Sequence, residues 1–225
     1  MDVAVVTVGD ELLAGETENT NASWLARRLR GRGATVRRIL VLPDELSAIS
    51  DAVAELAERY DAVLITGGIG PTHDDVTMDA VAEAFDRDMR EHEGVIAYFE
   101  RHSSYSREDL VSGTTELPAG ARMIPNDVGV APGAVVENVF VLPGVPAEMH
   151  AMFEQVEGEF NGTPIRTAAV ESTNPESALI DVLGELTERF DVTVGSYPGD
   201  TVTIKIHSTD RTETEAAAAW LAERV

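Results

Sequence analysis

Residues 62–77 constrain this chain more than any other stretch. Ala62–Ile65 is a short apolar run without polar alternation, the pattern of a strand buried on both faces of a parallel sheet. It breaks into Thr66-Gly67-Gly68-Ile69-Gly70-Pro71, whose glycines let the backbone turn sharply and approach a ligand closely. Thr72, Asp74 and Asp75 follow, and the apolar spacing of Val76, Ala80, Val81, Ala84 and Phe85 then predicts a helix. A strand, a glycine turn and a helix start can aim backbone N–H groups and the positive end of a helix dipole at one spot, as a phosphate cradle does. The paired acids make sense beside such a cradle if a divalent cation sits between carboxylate and phosphate, or if one acid handles a proton or a water. The plainer alternative is that Thr72, Asp74 or Asp75 caps the helix. The spacing is neither a dinucleotide-binding fingerprint nor a P-loop, since no Gly-Lys-Ser/Thr follows the glycines.

Other strand ends point the same way. Val3–Val8 is a second continuous apolar run, ending in Gly9, Asp10 and Glu11. Segments leaving the carboxyl ends of parallel strands gather around one ligand crevice, which brings these residues near the glycine turn. Asn19, Thr20 or Asn21 is expected to cap a helix at 22–32, with a ligand contact from Asn21 as the lesser reading. Residues 35–42 read as a strand and 47–59 as a helix. Asp44 between them is equally suited to cap that helix and to hold a metal or substrate. Residues 122–125, 134–137 and 140–142 read as short strands. The last runs into Pro143-Gly144-Val145-Pro146, with Glu148 in the first turn of a helix reaching about Phe160. That corner is either a second anion-facing turn or a rigid bend with a dipole-compensating acid. His92 and His102 lack partners at metal-ligand spacing and are expected to face solvent, beside a connector at Ser103–Ser106. Asn161-Gly162-Thr163-Pro164 is the best linker. It divides the chain into 1–162 and a βαββα unit at 163–225 that carries no cluster of catalytic residue types.

Composition narrows the partners. The net charge is −23, from 40 acids against 17 bases, and Lys205 is the lone lysine. Such a surface repels nucleic acid and anionic lipid. The dispersed acid excess suits a halophile, because at molar salt the Debye length is about 3 Å and self-repulsion costs little. The absence of cysteine excludes disulfides and thiol catalysis. With no apolar run near membrane-spanning length and no basic region ahead of one at the start, a cytoplasmic location is expected.

Several blocks together resemble the amino-terminal region of the CinA family, within the molybdopterin-binding, MoaB/Mog-like superfamily. They are Thr7-Val8-Gly9-Asp10-Glu11-Leu12-Leu13 with Gly15, then Asn19-Thr20-Asn21, Pro43-Asp44, residues 66–77 and Leu142-Pro143-Gly144-Val145-Pro146-Ala147-Glu148-Met149. The resemblance covers residues 1 to about 160. It implies an α/β fold, a three-layer α/β/α sandwich with a mostly parallel sheet, followed by a small α+β domain. It further implies a site formed by the glycine turn, Asp44, Asp75 and the Pro-Gly turn. CinA-type relatives are associated with metal-dependent hydrolysis of nucleotide diphosphates such as ADP-ribose, related flavin enzymes with FAD, and molybdopterin-processing relatives with a phosphorylated pterin. His73 stands where many relatives carry lysine, so a phosphate-pairing cation there would depend on protonation. Without the amidase domain of many full-length members, deamidation is not implied.

Three functions emerge as expectations. The first is a metal-dependent pyrophosphohydrolase. Gly67, Gly68, Gly70 and Thr72 would hold the phosphates, Asp75 and Asp44 would bind Mg²⁺, Co²⁺ or Mn²⁺, and Asp10 or Glu11 would orient water. Gly9, Asn21, Asp74, Pro143 and Gly144 complete the expected substrate contacts. The second is molybdopterin adenylyl or metal transfer at the same cradle, and the third a pocket that binds without catalysis. No haem, flavin or nicotinamide cofactor is expected, and relatives suggest a homodimer or homotrimer.

Overall fold

A computed structural model describes residues 1–102 and 115–225, with the side chains of residues 101 and 102 also outside the description. The expected connector at Ser103–Ser106 and the His102 side chain therefore lie beyond the described residues. The chain divides into two compact units, Met1–Gly162 and Thr163–Val225.

The larger unit is built around central strands with no solvent face. β1 (Asp2–Val8), β2 (Thr35–Leu42), β3 (Ala62–Thr66) and β8 (Val139–Leu142) run parallel, and β7 (Gly133–Val136) and β6 (Arg122–Ile124) add antiparallel to one edge. The order across the sheet is β2-β1-β3-β8-β7-β6. In register, Thr7 of β1 lies beside Thr66 of β3, and Thr66 lies beside Leu142 of β8. The three carboxyl ends thus stop level, and the segments that leave them share one edge of the sheet.

Alternate residues of each strand feed two cores. Ala4, Val6, Val63, Ile65, Val139 and Val141 pack under α3 (Leu46–Arg59), α4 (Thr77–Ala84) and α5 (Glu93–His102). Val3, Val5, Ala62, Leu64, Phe140 and Leu142 pack under α2 (Thr20–Gly31) and α6 (Pro146–Val156). The result is a three-layer α/β/α sandwich, and it explains why β1 and β3 read as unbroken apolar runs. Under α2 and α6 the filling is aromatic. Phe153 meets Trp24 edge-on at 5.6 Å between ring centroids and stacks on Phe160, which in turn lies 4.8 Å from Phe140.

Two features escaped the sequence. Met89–Glu91 (β4) and Glu116–Pro118 (β5) form a small antiparallel pair, and Asp10–Leu13 (α1) is a single helical turn. His92 corrects an expectation. It is half-buried, its Nε2 lies 3.2 Å from the Ala121 carbonyl, and its Nδ1 is buried with no hydrogen-bond partner among the described residues. The backbone bond from His92 N–H to the Thr115 carbonyl draws the ring inward beside β4 and β5, where solvent was expected.

The smaller unit is β9 (Arg166–Ser172), α7 (Glu176–Arg189), β10 (Thr193–Pro198), β11 (Val202–Ser208) and α8 (Arg211–Ala222). Its antiparallel sheet, ordered β10-β11-β9, buries Val170, Ile204 and Ile206 against Leu179, Leu186, Trp220 and Leu221. Among the described residues no helix is long and apolar enough to cross a membrane.

Phe153 is fully buried between the rings of Trp24 and Phe160. Phe153→Ala should destabilise the larger unit by about 3–5 kcal/mol. Urea unfolding of that unit should show a lower midpoint at an unchanged denaturant slope.

Candidate active site at the carboxyl end of the sheet

The site begins with a turn only glycine can make. Gly67 and Gly68 have φ of 106° and 65°, a region side chains disfavour. A Cβ on Gly67 would strike the Val8 carbonyl, so the chain leaving β3 presses directly on the end of β1. Gly144, from the Pro-Gly turn after β8, packs on the other side, where a Cβ would lie 3.3 Å from Gly67 Cα. Asn21 ties the two turns from below. It is nine-tenths buried, and its Nδ2 donates to the Gly144 carbonyl at 2.7 Å and to Thr66 Oγ1 at 3.3 Å.

The hydrogen bonds decide which turn amides remain for a ligand. Gly67 N–H donates to the Leu142 carbonyl, and Thr72 commits both its N–H (2.9 Å) and its hydroxyl (2.5 Å) to Asp75 Oδ2. The first amide of α4, on Thr77, is taken by the Gly68 carbonyl. Among the described residues the amides of Gly68, Ile69 and Gly70 bind no acceptor. Of the expected phosphate donors, Gly68 and Gly70 therefore keep their N–H groups, and Ile69 joins them. Thr72 serves to fix Asp75. Neither Thr72, Asp74 nor Asp75 is the cap of α4, a position held by Val76.

Around these amides lies a crevice of about 490 Å³. Its walls include Gly9, Glu11, Asp44, Asp74, Asp75, Pro143, Gly144 and Glu148, so most of the expected site residues share one cavity. Three do not line it. Asp10 contributes its backbone N–H, which donates to Asp44 Oδ2 at 2.9 Å. Asn21 instead borders an adjoining pocket of about 90 Å³ with Glu11 and Asn19. Thr72 borders a neighbouring cavity of about 240 Å³, which Met78, Met89 and Leu117 make partly apolar. His73, fully exposed and 3.8 Å from Asp74, stands outside all three.

Asp44 is not a helix cap; Glu45 holds that position before α3. Burial pushes the Asp44 carboxyl above the usual carboxylate range. The hydrogen bond from Asp10 N–H opposes that, while the charges of Asp10, Glu11 and Asp74 add to it. Asn19 rather than Asn21 caps α2, accepting from Ala22 N–H at 3.1 Å. Glu148 lines the crevice from α6, accepting at 2.7 Å from the fully buried Asn126. The 22-residue separation between Asn126 and Glu148 hides that pairing from sequence reading.

The donor set suits a hard cation. All candidate ligands are oxygens, and Mg²⁺ is commonly held by one or two carboxylates together with substrate phosphates. Among the described residues no three acidic or histidine side chains converge as a ready-made metal site. Asp44 and Asp75 would supply two carboxylates to such an ion, the rest of its shell coming from phosphate or water.

Residues 4–160 match a family model described as "Probable molybdopterin binding domain". The crystal structure of CinA from Thermoplasma acidophilum, described as of unknown function, is 36% identical, with a TM-score of 0.66 over 72% of this chain and 99% of that one. This chain is a CinA-type member of the molybdopterin-binding-domain family. A protein of Thermococcus kodakarensis is 37% identical over all of this chain and 97% of its own length. A CinA-like protein of Citrifermentans bemidjiense is 43% identical over 69% of this chain, which spans 39% of that relative.

The raised pKa of Asp44 has a thermodynamic sign. Folding takes up a proton between the unfolded and the raised folded pKa, so stability falls as pH climbs through that interval. Asp44→Asn keeps an acceptor for Asp10 N–H and removes the charge. Its melting temperature should exceed the parent's at pH 7, with the gap narrowing in acid.

Proposed function

We propose that the crevice hydrolyses the pyrophosphate bond of a nucleotide diphosphate such as ADP-ribose or FAD, assisted by a divalent cation. The reading rests on one juxtaposition: the unspent amides of Gly68, Ile69 and Gly70 share a cavity with Glu11, Asp74, Asp75 and Asp44, the last with its pKa raised by burial first and by neighbouring acids second. Amides alone would suit any anion. Carboxylates alone would repel one. Together they suit a phosphate that arrives with its own cation.

Each group then has a task. The turn amides would hold the phosphate oxygens, fixed in direction because the turn is clamped between Val8 and Gly144. Asp44, held by Asp10 N–H, and Asp75, held by Thr72, would ligate the ion. The bound ion would neutralise charge developing on the phosphates. Glu11, whose carboxylate lies against Gly9, would add to the negative field that favours the cation. The proposed setting is a salt-rich cytoplasm, with the chain as a homo-oligomer.

A phosphorylated pterin is the second reading, favoured by the family's description over residues 4–160. It would use the same amides and acids for binding or for adenylyl or metal transfer.

The two separate in one assay, run in molar KCl with ADP-ribose or FAD and Mg²⁺, Mn²⁺ or Co²⁺, following AMP by chromatography. Metal-dependent AMP release is expected. Asp75→Asn should keep the fold and lower turnover by at least about 100-fold. No AMP with any metal would leave the pterin reading in its place.

A further inference from the structure

We infer that Glu148 accepts the proton of the attacking water and that Asn126 and Gly129 position it. The inference deepens the hydrolase reading and rests on it.

Glu148 is held unlike a surface acid. Asn126, with no exposure, spends its whole side chain on the loop that faces α6. Its Oδ1 accepts from Gly129 N–H at 2.9 Å, and its Nδ2 donates to the Ala131 carbonyl at 2.9 Å and to Glu148 Oε2 at 2.7 Å. Tyr98 adds a hydroxyl bond of 2.7 Å to the Asn126 carbonyl. The carboxylate lies so close to Gly129 that a Cβ there would overlap it, although the backbone at Gly129 does not require glycine. One oxygen is thus fixed from behind. Among the described residues the other, Oε1, makes no hydrogen bond, and the residue lines the crevice. A dipole-compensating acid at a helix start needs neither a buried amide nor a glycine to receive it.

Its place in the sheet gives the role. Asp44, Asp10 and Glu11 leave β2 and β1, on one side of the glycine turn that ends β3. Glu148 comes after β8, on the other side. Transfer at phosphorus wants the entering and leaving oxygens roughly in line on opposite faces. With phosphate on the turn amides and the cation beside Asp44, the water enters from the Glu148 side. Its oxygen bonds to phosphorus and its proton passes to Oε1. The bond from that phosphorus to the bridging oxygen breaks, and the electron pair leaves with the other phosphate monoester.

The test uses the full chain, with ADP-ribose and Mg²⁺ in molar KCl. Glu148→Gln, whose amide oxygen can still accept from Asn126, should lose at least about 100-fold in kcat with KM within about threefold. Its melting temperature and calorimetric ADP-ribose affinity should match the parent's, and Glu148→Asp should recover part of the rate. Gly129→Ala should lower kcat roughly 10- to 100-fold in the parent, and not at all when Glu148 is already Ala. Glu148→Gln turning over within about threefold of the parent would overturn the inference alone. So would Gly129→Ala being equally harmful in both backgrounds, since the loop would then matter for itself. A parent protein that releases no AMP fails earlier, at the hydrolase reading, and takes this inference with it.

Discussion

The contact of Gly67 with the Val8 carbonyl sets the rest of the site. It lets the chain leave β3 without a side chain between it and β1, and brings the Pro-Gly turn of β8 against its other side. Three parallel strands that end level would otherwise release their loops in unrelated directions. Clamped, they deliver Glu11, Gly68, Asp75 and Glu148 to one cavity. The two cores beneath hold those strands in register, so the geometry of the crevice is inherited from interior packing.

That geometry carries an electrostatic penalty. Asp44 is partly withdrawn from water and sits among Asp10, Glu11 and Asp74, and its carboxyl accordingly resists ionisation. A fold gains nothing from such crowding. A ligand that brings positive charge relieves it, and sites of this kind concentrate where function outweighs stability. The unspent amides of the glycine turn line the same cavity and suit an anion. The proposed phosphate with its cation would meet both needs.

Much of this was legible in the sequence, for a physical reason. β1 and β3 are buried on both faces, so their apolar runs admit few other readings. The turn residues Gly67, Gly68, Pro143 and Gly144 carry backbone constraints in their identity. What could not be read depends on partners far along the chain. β4 and β5 are three-residue strands whose charged sequences acquire meaning only from each other. Asp44 looked as much like a cap as a ligand, and a bond from Asp10, 34 residues earlier, fixes it instead. Gly67 and Thr72 looked like phosphate donors, yet their N–H groups are spent on Leu142 and Asp75. Spacing reports which residues are near, and not which of their hydrogen bonds are already made.

Cation and phosphate, if they complete one site together, must each tighten the binding of the other. Mn²⁺ titrated into the full chain can be followed by paramagnetic relaxation of water, with and without a non-hydrolysable ADP-ribose analogue. Weak Mn²⁺ binding is expected alone and binding at least about tenfold tighter with the analogue present, the analogue gaining equally from Mn²⁺. Mn²⁺ affinity that is unchanged by the analogue would rule out a shared site.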